Sequence, residues 1–209
     1  IRVPRPLTSG STDQHSYLVL EFLDLQYPTS PAAFGTAMAG LHTPHPDHNF
    51  GWYRENNIGS TPQINSETSD WIDFFERHRL GYKINLASRN AAPARLQTSV
   101  KKLIESLPAF FSGRNLKPAL LHGDLWSGNW GGLEDGTPVI FDPASYYGDH
   151  EADLAMMELF GHPGAGFFDA YNDIRPIDKG YETRKVLYNL YHILNHFNLF
   201  GGGYATQAQ

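Results

Sequence analysis

The chain has 209 residues, 41% of them apolar and 13% aromatic, which is enough to bury a sizeable core and unlike a disordered tail. A formal charge of −6 leaves no basic face for nucleic acid, and no apolar run approaches a membrane span, so neither nucleic acid nor membrane is expected as a partner. With no cysteine, disulfides, thiolate metal sites and a Cys nucleophile are excluded; this fits a reducing compartment, and a cytoplasmic location is expected.

Residues 1–28 read as sheet. Thr8-Ser9-Gly10-Ser11 is expected to turn, and the continuous apolar run Tyr17-Leu18-Val19-Leu20-Glu21-Phe22-Leu23 to form a buried strand. Pro28 and Pro31 break that pattern, and Ser30 can cap a helix over 31–42 that carries Phe34, Met38 and Leu41 at helical spacing. Residues 42–66 read as one long irregular stretch, the kind of segment that is functional or disordered, and Phe50, Trp52 and Tyr53 argue against disorder. His42, His45 and His48 lie in this stretch, but Pro44 and Pro46 break any helical face that would converge them on a metal. Ser69 or Asp70 can cap a helix to about Asn85 with Trp71, Phe74, Phe75 and Leu80 inward. A second helix over 92–106 places Leu96, Val100, Leu103, Ile104 and Leu107 on one stripe and ends at Pro108. Ala119-Leu120-Leu121 and Pro138-Val139-Ile140-Phe141 read as short strands around a Gly- and Asp-rich turn region. Helices follow over 151–160, 163–172 and 183–200, the last stopped by Gly201-Gly202-Gly203. There is no internal repeat.

The chemistry concentrates in Leu121-His122-Gly123-Asp124-Leu125-Trp126-Ser127-Gly128-Asn129-Trp130, with Asp142 at the end of the strand that follows. Phosphoryl transfer needs such a set: a carboxylate to accept the proton of an attacking hydroxyl, and an amide oxygen and a second carboxylate to hold Mg²⁺ against nucleotide phosphates. A capped turn with solvent-facing carboxylates could supply one of these elements; the pattern His-x-Asp-x4-Asn followed by a strand-terminal Asp supplies all three. Asp124 is placed to act as the base, and His122 to brace the loop by hydrogen bonding. Trp126 inside a polar loop suggests a platform for the C–H faces of a sugar-like substrate. Asp149 and Asp153 read as structural, Asp149 being placed to cap the helix that starts at Glu151.

The filling Leu125-Trp126-Ser127-Gly128 inside that frame resembles the fructosamine (ketosamine-3-) kinases; the related aminoglycoside phosphotransferases share the frame. Phe141-Asp142-Pro143-Ala144-Ser145-Tyr146-Tyr147-Gly148-Asp149-His150-Glu151-Ala152-Asp153-Leu154-Ala155, Asn57-Ile58-Gly59-Ser60-Thr61-Pro62-Gln63 and Asp70-Trp71-Ile72-Asp73-Phe74-Phe75 also resemble the fructosamine kinases, so the resemblance runs through nearly the whole chain. It implies an α+β, protein-kinase-like fold. Residues 1–23 would be the end of the N-lobe sheet and the hinge strand, and residues 24–209 a mostly helical C-terminal lobe with the catalytic loop. It implies Asp124 as catalytic base, Asn129 and Asp142 as metal ligands, and adenine bound by the backbone of the hinge Glu21-Phe22-Leu23. The implied cofactors are ATP and Mg²⁺, and the implied substrate is a ketosamine, either a metabolite or a glycated-protein lysine adduct, phosphorylated on its 3-hydroxyl. Another small-molecule kinase of the aminoglycoside or choline kinase type, and an inactive scaffold, are the competing readings. Set against the family pattern, the glycine-rich phosphate loop and strand lysine have no counterpart before Tyr17, so this stretch alone is expected to bind ATP weakly and not to turn over.

Overall fold

The computed structural model describes residues 1–25 and 29–209; Pro28, expected to act as a breaker, lies outside them. The first element is an antiparallel hairpin, β1 (Pro6–Ser11) and β2 (Ser16–Leu20), in a register that pairs Ser9 with Leu18 and Gly10 with Tyr17. Two expectations are corrected here. Thr8–Ser11 is strand, because the reversal comes one step later: the Thr12 hydroxyl accepts from the N–H of Gln14 at 3.4 Å and of His15 at 3.1 Å. The run Tyr17–Leu23 is not a buried strand. It leaves the ladder after Leu20, and Leu18 is 59% exposed. Leu18 and Leu20 line an open cavity instead of a closed core, and periodicity cannot tell these apart.

Helix α1 (Pro31–Leu41) starts as expected, with the Ser30 hydroxyl accepting from the Ala33 N–H at 3.4 Å and Pro31 in the first turn. Residues 42–66 hold more order than expected. They contain a hairpin, β3 (Asn56–Ile58) and β4 (Thr61–Gln63), fastened by side-chain amides: Gln63 Nε2 and Asn65 Nδ2 each donate to Asn56 Oδ1 at 2.9 Å. Helix α2 (Trp71–Phe74), capped by Asp70, runs through a π-helical segment (Phe75–Gly81) into α3 (Tyr82–Arg89), past the expected end near Asn85. Helix α4 (Ala94–Glu105) buries Leu96 and Val100; Leu107 belongs to a separate short α5 (Leu107–Phe110), whose first turn contains Pro108.

Four short strands follow: β5 (Ala119–Leu121), β6 (Trp130–Gly132), β7 (Pro138–Ile140) and β8 (Tyr146–Gly148), paired antiparallel as β5–β8 and β6–β7. The chain then forms α6 (Glu151–Leu159), α7 (Phe167–Ile174), α8 (Tyr181–Phe200) and α9 (Tyr204–Gln207). Helix α7 begins later than Pro163 because Gly164 and Gly166 take φ of +100° and +85° just before it. Helix α8 stops at Gly201, φ +64°.

One core gathers Trp71, Phe74 and Phe75 against Tyr188 and Leu194 of α8, and a second gathers Phe34 and Met38 of α1 against Phe167 and Tyr171 of α7. Leu125, from the loop between β5 and β6, is fully buried in the second core and pins that loop to it. No helix among the described residues is long and apolar enough to cross a membrane.

Candidate active site

The loop between β5 and β6 is held by its backbone. Gly123 has φ +84° and lies so close to the Ala144 carbonyl that a Cβ would overlap its oxygen. Asp153, in the first turn of α6, accepts from the N–H of His122 at 2.7 Å and of Gly123 at 2.9 Å. His42, just past α1 and fully buried, places Nε2 3.2 Å from Asp153 Oδ2 and Nδ1 2.8 Å from the Tyr171 hydroxyl. Burial pushes the Asp153 carboxyl up, but the hydrogen bond and charge of His42, with His122 and the Gly123 amide, leave it below its ordinary value.

His122 is buried, and its roles follow from its partners. Nε2 faces the Phe141 carbonyl at 2.8 Å and must donate to it; Nδ1 then accepts from the Asp124 N–H at 3.3 Å. Burial lowers its pKa, so it is a neutral brace with both nitrogens engaged.

Asp124 is half-buried. Burial raises its pKa to about 6; the charge of Asp153 and, more weakly, of Asp142 add to this, against a hydrogen bond from Asn129. Asn129 Nδ2 lies 2.9 Å from the Asp124 carbonyl, 3.4 Å from Asp124 Oδ2 and 3.4 Å from the Asp142 carbonyl, so one amide knits the two acids' backbones together and leaves its own Oδ1 free. Asp142 has φ +53°, a conformation that costs a non-glycine residue and recurs at functional sites. Among the described residues neither of its carboxylate oxygens takes a hydrogen bond. Free oxygens on one amide and one exposed carboxylate suit a hard cation that takes few protein ligands. Asp124 and Asn129 thus share one loop, and Asp142, just after β7, is joined to it through the Asn129 amide.

Two cavities meet at that loop. One, of about 380 Å³, is mostly apolar and lies between the β1–β2 hairpin and the strands, with Leu18, Leu20, Ile140, His122 and Asp142 in its wall. The other, of about 360 Å³, is lined by Asp124 and Trp126 together with Phe160, His196 and Tyr204. The Trp126 indole is 40% exposed and lies over Gly128, where a Cβ would overlap the ring. Glu21 joins the hairpin to the N-terminal stretch: its N–H donates to the Arg5 carbonyl at 2.9 Å and its carboxylate pairs with Arg2 at 2.5 Å. Phe22 is 88% exposed and Leu23 half-buried.

The three histidines do not converge: His42 joins Asp153, while His45 and His48 pack their rings on Tyr147. Among the described residues no cluster of three His, Cys, Asp or Glu could hold a metal. Asp149 accepts from the Glu151 N–H at 3.2 Å and from the Tyr188 hydroxyl at 2.6 Å, and pairs with Arg114, a partner with no sequence signal near it. Lys83, Arg114 and Asn195 are the residues around the site that sequence reasoning missed, and His42 was weighed only as a metal-loop histidine, not as the partner of Asp153. Each acts through a partner distant in the chain, where no spacing rule applies.

This arrangement is that of a protein-kinase-like phosphotransferase fold. The same fold is seen in the aminoglycoside phosphotransferase APH(4)-Ia, at 17% identity and TM-score 0.61, with 99% of this chain and 75% of that one covered. The sequence model described as fructosamine kinase matches residues 1–209, and the chain belongs to that family. It is 52% identical to a Synechocystis sp. protein named probable ketoamine kinase, covering 100% of this chain and 70% of that protein. It is 42% identical to the chloroplastic protein-ribulosamine 3-kinase of Oryza sativa subsp. indica, covering 100% of this chain and 61% of that protein. The crystal structure of a Haemophilus somnus protein assigned to the fructosamine-3-kinases superposes with TM-score 0.87 at 28% identity, over 100% of this chain and 71% of that one.

Proposed function

We propose that the protein carrying this chain transfers the γ-phosphoryl group of ATP to the 3-hydroxyl of a ketosamine, fructosamine or ribulosamine, free or on a glycated lysine, and so initiates deglycation. The observation that carries this reading is the position of Asp124 and Asn129. Their side chains meet at 3.4 Å on the partition between two cavities, with Asp142 in the wall of the far one. In-line transfer needs the base on the acceptor side and the metal ligands on the nucleotide side of the transferred group, as these residues would stand.

On this reading the apolar cavity takes the adenine, and the Glu21 carbonyl and Leu23 N–H, just past Leu20 of its wall, would hydrogen-bond the base, with the exposed Phe22 between them. Residues 1–23 then act as hinge and sheet, and residues 24–209 as the lobe that does the chemistry. Asn129 Oδ1 and the Asp142 carboxylate would hold Mg²⁺, which when bound neutralises charge on the phosphates. Asp124 orients the acceptor hydroxyl and takes its proton; its raised pKa keeps it basic enough for that task. His122 holds the loop in place beneath it. The Trp126 ring, with Phe160, His196 and Tyr204 lining the same cavity, supports a polyol with apolar C–H faces better than a polycation. The cysteine-free composition suits a cytoplasmic setting.

In the full-length protein, Asp124→Asn is expected to lower kcat by about 10²–10⁴-fold while ATP affinity stays near wild type. Unchanged turnover would remove Asp124 from the mechanism. A panel of ribulosamine, fructosamine, kanamycin and choline tests the substrate class, and turnover confined to kanamycin or choline would overturn the ketosamine reading.

A further inference from the structure

Lys83, on α3, is fully buried, yet no carboxylate pairs with it among the described residues. Its ammonium donates to Asn195 Oδ1 of α8 at 2.8 Å and otherwise sits beside the rings of Tyr191 and Tyr82, at 5.2 and 5.6 Å. One turn earlier Arg79 is also buried, over the Tyr146 ring at 4.0 Å. Burial, with Arg79 adding to it, pulls the Lys83 pKa down to about 7. A buried lysine with no counter-ion is costly, and a leucine or methionine would pack in its place, so its one polar contact asks for a reason.

That contact decides which way an amide points. In its charged form Lys83 only donates, and in that form it claims the Asn195 oxygen and turns the NH₂ group the other way. On that side Nδ2 has, among the described residues, a single partner, the Ile58 carbonyl, at 3.5 Å, the outer edge of hydrogen-bonding distance. Ile58, Gly59 and Asn195 all line the cavity that contains Asp124 and Trp126. The amide hydrogens therefore stand at the wall of the acceptor cavity with donor capacity to spare.

We propose that Asn195 is a specificity-determining residue that donates a hydrogen bond to a carbonyl or hydroxyl oxygen of the acceptor, and that Lys83 is the positioning residue that fixes the direction of that donor. The inference rests on the ketosamine reading above and sharpens it: the acceptor must present an oxygen at this wall, and a quaternary ammonium such as choline is disfavoured by the facing N–H.

The test is Asn195→Asp and Lys83→Met in the full-length protein. Asn195→Asp keeps the side-chain shape, gives Lys83 a counter-ion and replaces the donor by an acceptor. It is expected to melt at or above the wild-type temperature while KM for the ketosamine rises about ten- to a hundredfold and KM for ATP stays within about twofold. Lys83→Met, which frees the amide to rotate, is expected to raise acceptor KM in the same direction. A purely structural role for the pair predicts an unchanged acceptor KM in whichever variant folds, and that result overturns the proposal. A wild-type protein that turns over no ketosamine sinks the underlying function instead, and the same KM comparison on the acceptor it does use then decides the role of Asn195.

Discussion

Asp124 is held in a place where its charge is unfavourable, between partial burial and the neighbouring Asp153 carboxylate. Its folded-state pKa is raised from 3.8 to about 6, so the folded protein takes up a proton more readily than the unfolded chain. The wild type therefore loses stability as pH rises from about 4 through about 6. In the metal- and nucleotide-free protein, Asp124→Asn is expected to be more stable than wild type by about 1–3 kcal/mol at pH 7. The gain shrinks towards zero below about pH 4, where both states carry the proton. Urea melts at the two pH values check this; a gain that persists on acidification would point to packing instead of charge. That Asp124, Asn129 and Asp142 come close together was legible in the sequence because they lie along one loop and one strand end, with a spacing that itself encodes geometry. His42, Lys83 and Asn195 were not, since their meaning comes from contacts such as Lys83 to Asn195, 112 positions apart.

Among the elements, α1 and α7 show how closely two helices can be set. Gly35 of α1 faces the Phe167 carbonyl with no room for a methyl group. In an open helix, glycine to alanine would add about 1 kcal/mol of stability. Here the overlap is with backbone, which cannot swing aside, so Gly35→Ala is expected to destabilise the protein by a net ~1–3 kcal/mol in denaturant melts. A neutral or stabilising result would mean that the two helices separate freely. Helices α1, α4, α6 and α8 were legible because an apolar stripe or a capping Ser is a local property. The β3–β4 hairpin was not, because side-chain amides of Asn56, Gln63 and Asn65 do the work of a longer ladder, and such residues read as loop. The π-helical segment also leaves no compositional trace: Arg79, which it carries into the core, looks like any surface arginine in the sequence.

At the scale of the whole molecule, a buried charge network ties the segment before β5 to α6 and α8. Arg114 pairs with Asp149 and, at 3.0 Å, with Glu151; Arg184 holds Glu151 at 2.6 and 2.9 Å; and Tyr188 donates to Asp149. Removing one member strands the others without a counter-charge, so Arg114→Met is expected to cost about 3–5 kcal/mol in denaturant melts. Because these groups are shielded from solvent, molar salt should leave the wild-type midpoint nearly unchanged; a large salt-induced drop would contradict the buried network. The kinase-like layout was legible from the order of strands, loop and helices, whereas this network was not, because charged residues at such distances carry no period. The loop that performs the proposed transfer also carries its own optical probe. Trp126 is the one exposed residue of the chain's four tryptophans, and its ring lies against Gly128 in the wall of the cavity proposed for the acceptor. Acceptor sugar should protect its fluorescence from acrylamide, ATP alone should not, and a Trp126→Phe protein should lose the response.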